Sequence, residues 1–196
     1  MTTDTQLILA STSPYRKELL TRLRLPFTIC APDFDEAAPD SMPPVELVRH
    51  NTLGKARAVS ALHPDASVIA ADQLAVCGDM ILGKPGNHDA ACTQLAALSG
   101  KTVDFFTGVA LHCGNKRPDE AHYAMVPFRV CFRNLSDADI ETYLRAERPY
   151  DCAGSFKGEA LGIVLFERMC GDDPTALTGL PLITLAGWLK PLQTAV

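Results

Sequence analysis

Leu7-Ile-Leu-Ala-Ser-Thr-Ser-Pro-Tyr-Arg-Lys-Glu-Leu-Leu20 changes its periodicity halfway along. Gln6 to Ala10 is a short apolar run, the pattern of a buried strand, and Ser11-Thr-Ser-Pro14 stops it. Ser13 followed by Pro14 then reads as a helix cap and first turn. The serine oxygen can accept from an unpaired backbone N–H, and proline has no N–H to leave unpaired. The helix so started carries Leu19, Leu20 and Leu23. A strand that hands directly to a helix predicts an α/β layer.

The same alternation continues along the chain. Phe27 to Ala31 reads as a second strand running into the acidic loop Pro32-Asp-Phe-Asp-Glu36. After Pro43-Pro44, Val45 to Leu62 is helical, with Leu47, Val48, Leu53 and Ala56 near helical spacing. Ser67 to Val76 is the clearest strand, although Asp72-Gln73 interrupts its apolar run. A short strand (Met80 to Leu82), a Gly83-Lys84-Pro85-Gly86 turn and a helix (His88 to Leu98) come next. Thr102 to Cys113 and Ala121 to Phe132 predict two long strands joined at Gly114-Asn115. Ser136 and Asp139 form a capping-box pair for a further helix. Tyr150 to Gly162 is irregular, Ile163 to Glu167 reads as a strand, and Pro181 to Leu192 as a closing helix. The fold class is therefore α/β with a mixed sheet, and no repeat or linker divides residues 1–196.

Composition limits the function. The 196 residues are 47% hydrophobic and 21% charged, ordinary for a folded domain. A formal net charge of -5 argues against broad binding to nucleic acid or to an anionic membrane. Any polyanion handled should be small and met by a few local cations. The seven cysteines are scattered, without CxxC or a zinc-like histidine spacing, and predict free, mostly buried thiols. Met1 to Thr5 is polar, and the apolar stretch after it is too short for a leader or span, so a cytoplasmic protein is expected. Walker A, HExxH, GxSxG and GxGxxG patterns are missing, and the five histidines are scattered, with surface roles expected for most.

Three stretches could carry chemistry. Ser11-Thr-Ser-Pro-Tyr-Arg-Lys17 puts hydroxyls, two cations and free N–H groups where a strand meets a helix, which suits a phosphate. Taken alone, the segment favours the plainer reading, in which Ser13 only caps the helix and Arg16 and Lys17 are a solvated face. Asp72 stands inside Val68-Ile-Ala-Ala71 and Leu74-Ala-Val76, where desolvation is costly unless a partner, a metal or a cleft mouth compensates it. Cys152-Ala-Gly-Ser-Phe-Lys-Gly-Glu159 sets Phe156, Lys157 and Glu159 among glycines and could meet a base and a phosphate, or be a surface loop. Glu36, Lys55 and Lys84 are weak one at a time, and Lys55 beside Arg57 is by default solvent-facing. Together, two carboxylates and several cations near strand ends are the materials of metal-assisted phosphoryl chemistry.

These motifs, in this order, resemble the Maf family of nucleotide pyrophosphatases. Leu7 to Leu20, Asp35-Glu36, Lys55-Ala56, Ala71-Asp72-Gln73, Gly83-Lys84-Pro85 and Thr107-Gly108 carry the resemblance over nearly the whole chain. Tyr15 after Ser-Pro, Cys152 to Glu159 and Gly179-Leu-Pro-Leu182 are similar to the YceF-like branch, associated with 7-methyl-GTP hydrolysis. The resemblance implies a two-lobed fold like that of inosine triphosphate pyrophosphatases, an elongated mixed sheet with flanking helices and a deep central cleft. It also implies a homodimer and a small-molecule nucleoside triphosphate as substrate. Asp72 matches the proton acceptor, Tyr15, Gln73 and Glu159 match positions linked to substrate choice, and Ser11, Arg16, Glu36, Lys55 and Lys84 match polar positions of the cleft. A divalent ion is expected, Mg²⁺ or else Mn²⁺, with Glu36 and Asp72 the candidate ligands. Ser13 and Lys157 complete the candidate substrate-binding set. The other readings are a dTTP and UTP pyrophosphatase of the same family and a non-catalytic nucleotide sensor acting in cell division. Two departures stand out: Ala71 replaces the usual Ser before Asp-Gln, and Asn51-Thr-Leu-Gly54 replaces a Leu-Ala pattern before Lys55.

Overall fold

The computed structural model describes residues 6–39, 41–114 and 121–193. Among them run β1 (Leu7–Leu9), α1 (Pro14–Thr21), β2 (Thr28–Ile29), α2 (Pro44–Leu62), β3 (Ser67–Cys77), β4 (Met80–Leu82) and α3 (His88–Leu98). Then come β5 (Thr102–His112), β6 (His122–Phe132), α4 (Asp137–Glu147), β7 (Phe166–Cys170) and α5 (Leu182–Gln193). The strands form one mixed sheet in the order β2-β1-β3-β5-β6-β7, with β4 paired to β3. β1 is parallel to both β2 and β3, whereas β4 and β7 are antiparallel to their neighbours. The α/β class and the mixed sheet are as expected. The β5–β6 connection from Asn115 onward lies outside the described residues.

Two compact units divide the chain. The first comprises 1–73, 107–126 and 173–196, and the second 74–106 and 127–172. In the first, strand alternation builds two cores. Leu7, Leu9, Ile69, Ala71, Val109 and Leu111 pack with Leu19 and Leu20 of α1 and Leu182, Leu185 and Leu189 of α5. Ile8, Ala10, Val68, Ala70 and Ala110 face the other way, against Ala56 and Val59 of α2. The period of two sends Asp72, following Val68 and Ala70, toward α2, and Gln73, following Ile69 and Ala71, to the opposite face.

The buried stripe of α2 is Leu47, Val48, Asn51, Thr52, Lys55, Ala56 and Val59. Its i, i+4 rhythm is intact and Leu47, Val48 and Ala56 mark the buried face as expected, but three of its seven members are polar, which an apolar pattern alone does not show. Gly108 of β5 lets this helix approach, because a Cβ there would sit 2.5 Å from Thr52 Oγ1 and 2.9 Å from Val48 Cγ1.

In the second unit, Phe156 packs nearly perpendicular to Phe105, Phe132 and Phe166 at centroid distances of 5.1–5.6 Å. That is core packing. The strand expected at Ile163 to Glu167 starts instead at Phe166, because Leu161–Leu165 coils into a 3₁₀ turn and Gly162 N–H donates back to Lys157 O. A second 3₁₀ turn, Pro174–Ala176 in the first unit, gave no sequence pattern. Of the seven free thiols only Cys113 is buried, so the expectation of mostly buried cysteines is corrected. Among the described residues, no helix is long and apolar enough to cross a membrane.

Candidate active site

Asp72 is 6% exposed, and its carboxylate is the centre of a buried polar set. Lys55 Nζ donates to Asp72 Oδ1 at 2.7 Å, and Asn51 Nδ2 donates to Asp72 Oδ2 at 3.3 Å. The same Lys55 ammonium lies 2.6 Å from Glu36 Oε1. Lys55 is therefore no solvated lysine. It sits in the buried stripe of α2, four residues after Asn51, and bridges two carboxylates. Glu36 is the open end, with 56% of its side chain exposed.

The acidic loop reaches Lys55 because two contacts hold it. Ala37 N–H donates to Asn51 Oδ1 at 3.2 Å, so one amide ties both the loop and Asp72. Phe34 lies over Gly54, whose missing Cβ would stand 2.2 Å from the ring, and beside His50 at 5.8 Å between centroids. Asn51 and Gly54 thus have distinct tasks. Both lie in the Asn51–Gly54 stretch noted above as a departure from the Leu-Ala pattern. Asn51 was missed as a site residue because an amide in an apolar stripe reads as a flaw until its partners are seen.

Ser11, Ser13 and Arg16 form a second group around the start of α1. Ser13 caps the helix by accepting from Arg16 N–H at 3.4 Å. Ser11 Oγ accepts from Ser13 N–H at 3.1 Å and from Arg16 Nη1 at 3.4 Å. Arg16 Nε donates to Gly179 O at 3.0 Å, which aims the guanidinium back toward the strand end. Burial lowers the Arg16 pKa, and the negative charges of Asp72 and then Glu36 oppose that shift. Tyr15, next on the helix, is half-buried.

Gln73, on the opposite face of β3, is fully engaged through its nitrogen. It donates to Thr107 Oγ1 at 2.9 Å, to Ala176 O at 2.7 Å and to Leu177 O at 3.1 Å. Lys84, Lys157 and Glu159 belong to the second unit. Lys84 is exposed on a turn pinned by its flanks: Gly83 O accepts from Gly154 N–H and Gln94 Nε2, and Gly86 N–H donates to Tyr150 O. Lys157 pairs with Glu147 at 3.4 Å, and Glu159 is exposed. Phe156, buried among phenylalanines, does not offer its ring to a base.

Ser11, Ser13 and Arg16 at the β1–α1 junction, and Lys55 with Asp72 and Glu36, belong to one α/β unit in which Arg16 feels both carboxylates, residue types of the kind that suit a small charged ligand such as a phosphate ester. Comparison with known proteins makes this specific: the chain belongs to the Maf family, whose model (Maf-like protein) matches residues 6–192. A 7-methyl-GTP pyrophosphatase from Nitrosococcus oceani is 52% identical over 94% of this chain and 92% of its own. Proteins of the same name from Polaromonas sp. and Pseudomonas putida are 52% and 50% identical. They cover 99% and 93% of this chain and 88% and 94% of theirs. Among solved structures, a HAM1 protein from Coxiella burnetii shares 16% identity and a TM-score of 0.44, covering 79% of this chain and 88% of that one.

Proposed function

We propose that the chain hydrolyses a nucleoside triphosphate between the α- and β-phosphates, with 7-methyl-GTP as substrate. The observation that carries this reading is the single Lys55 ammonium held between Asp72 at 2.7 Å and Glu36 at 2.6 Å. The name borne by half-identical relatives along nearly their whole length supports the substrate.

In this reading Lys55 holds Asp72 until a phosphate oxygen competes for the ammonium. Asp72 Oδ1 then accepts a proton from water, whose oxygen bonds to the α-phosphorus while the bond to the bridging oxygen breaks. Lys55 and Arg16 offset the charge gathering on the departing pyrophosphate. Asn51 keeps the carboxylate aimed throughout. Asp72→Asn should cost about a hundred- to ten-thousand-fold in pyrophosphate release. A near-normal rate in that variant would show that Asp72 is not the base.

Two cations and two carboxylates, Lys55 and Arg16 with Glu36 and Asp72, sum to no net charge, so they draw a triphosphate only weakly by themselves. Glu36 and Asp72 converge on the Lys55 ammonium, and once it turns to a phosphate oxygen their hard oxygen donors are what Mg²⁺ or Mn²⁺ takes, so these two would hold the ion. The ion would supply neutralisation of the phosphate charge. Chelation with EDTA should abolish turnover and Mg²⁺ restore it; turnover indifferent to chelator removes the metal from the reading.

Base choice has its own physics. A methyl group on N7 gives guanine a positive charge, which an aromatic face such as Tyr15 attracts. The resemblance assigns Glu159 to the same choice, as a carboxylate able to accept from the guanine edge. Lys84 is assigned to phosphate charge. Tyr15→Arg should narrow the ratio of kcat/KM for 7-methyl-GTP over GTP, measured in a panel of triphosphates with pyrophosphate detection. An unchanged ratio clears Tyr15 of that role.

A further inference from the structure

His88 opens α3, Cys92 follows one turn later, and Glu141 comes from α4. One ligand atom from each lies within 4.8 Å of the other two. His88 Nε2 is 2.9 Å from Glu141 Oε2, and Cys92 Sγ is 3.9 Å from the same oxygen. All three residues are half-buried and belong to the second unit. We propose that His88, Cys92 and Glu141 form a binding site for a borderline transition-metal ion of the Zn²⁺ class, separate from the set around Asp72.

The donor set is the mixture of nitrogen, sulfur and oxygen that Zn²⁺ takes. With bonds of about 2.0–2.3 Å, a tetrahedral ion spaces its ligand atoms by about 3.3–3.7 Å, and the observed separations fall on either side of that range. A group stands behind the ligand ring as well. Tyr150 OH lies 3.0 Å from His88 Nδ1 and can accept its proton, which turns the Nε2 lone pair toward Glu141 and Cys92. Arg145 pairs with the other carboxylate oxygen, Oε1. A cavity of about 400 Å³ lined by His88, Arg145, Arg148 and Tyr150 adjoins the cluster and leaves room for water as fourth ligand. A helix-to-helix ion pair would need only His88 and Glu141. The sulfur one turn along α3 and the hydroxyl behind the ring are what an ion site adds. His88-x₃-Cys92 carries no zinc signature in the sequence, because the third donor, Glu141, comes from a distant helix.

Binding expels the proton of the Cys92 thiol. Burial first, then the charges of Glu141 and Asp89, hold the Cys92 thiol above its ordinary pKa, so the ion must compete with a firmly held proton. Affinity should therefore climb with pH.

Zn²⁺ is titrated into the full chain against a chromophoric chelator, alongside Cys92→Ser/His88→Gln. The wild type should bind one more equivalent than the double variant. Co²⁺ should give a thiolate charge-transfer band that Cys92→Ser lacks. Equal stoichiometry in the two proteins overturns the proposal, as does a Co²⁺ spectrum unchanged by the serine. Should the double variant fail to fold, alkylation of the wild type decides. Saturating Zn²⁺ must slow modification of Cys92, read by peptide mass, and an unslowed rate rejects the site.

Discussion

Lys55 shows how a residue's role follows from its partners. Its side chain is 8% exposed and that of Asp72 9%, so each compensates a charge the other would otherwise leave desolvated. Breaking a buried pair by removing one member costs about 3–5 kcal/mol, mostly as the penalty on the charge left behind. Lys55→Met should fall near that range in urea denaturation, with the solvated Glu36 adding little. Adding Asp72→Asn to Lys55→Met should recover a good part of the loss, because no naked carboxylate then remains. If the double variant is no more stable than Lys55→Met, the pair is not the source of the penalty. Both variants should be inactive. Asp72 was legible in the sequence as a charge in an apolar strand, whereas Lys55 was singled out only by the family resemblance and not by its own surroundings. A lysine four residues from an asparagine on α2 announces nothing until β3 is laid against that helix.

At the level of elements, Gly54 separates stability from activity. Alanine is favoured over glycine in a helix by about 1 kcal/mol, and its methyl would meet only the half-buried ring of Phe34, which can swing aside. The two effects oppose each other, so Gly54→Ala should change stability by less than about 1 kcal/mol. Yet Phe34 anchors the loop that brings Glu36 to Lys55, so activity should drop several-fold while the melting temperature holds. Activity equal to wild type would show that the loop finds Lys55 without the ring. The start of α4 gives a pH prediction. Ser136 Oγ and its N–H both donate to Asp139, holding that carboxyl below its ordinary pKa. A lowered folded pKa means stability that is present above the ordinary carboxylate range and lost as pH falls through the folded value. Ser136→Ala should therefore destabilise most at neutral pH, and the gap should narrow in acid to the loss of the cap that Ser136 Oγ gives Asp139 N–H, followed by thermal unfolding. This cap was legible, as were β4 and α3 at their predicted bounds, because each is decided by neighbours in sequence. Leu161 to Leu165 was not, since its coil is set by the backbone of Lys157 rather than by its own strand-like composition.

Over the whole molecule the chain leaves the first unit after Gln73 and after Val126, and re-enters it at Thr107 and Asp173. Three of those four junction residues meet at one short turn. Asp173, 2% exposed, accepts from Thr175 N–H, Thr175 Oγ1 and Ile183 N–H, so it fixes both the Pro174–Ala176 turn and the entry to α5. The carbonyl of Ala176 then accepts from Thr107 Oγ1 at 2.9 Å and from Gln73 Nε2 at 2.7 Å. This arrangement is invisible in sequence because its members stand 34 and 69 residues apart. It supports a definite energetic prediction. Gln73→Leu leaves the threonine hydroxyl on the Ala176 carbonyl, and Thr107→Val leaves the amide there, so each single change leaves that buried acceptor a partner. Removing both does not strand it, because Gly179 N–H still donates to Ala176 O at 3.0 Å; what the two side chains share is their own 2.9 Å hydrogen bond. Each single variant loses that bond and the double loses it only once, so the double variant should lose less stability than the sum of the singles, by about 0.5–1.5 kcal/mol in a denaturation cycle. Strict additivity would mean that Gln73 and Thr107 act independently and that their mutual hydrogen bond contributes nothing.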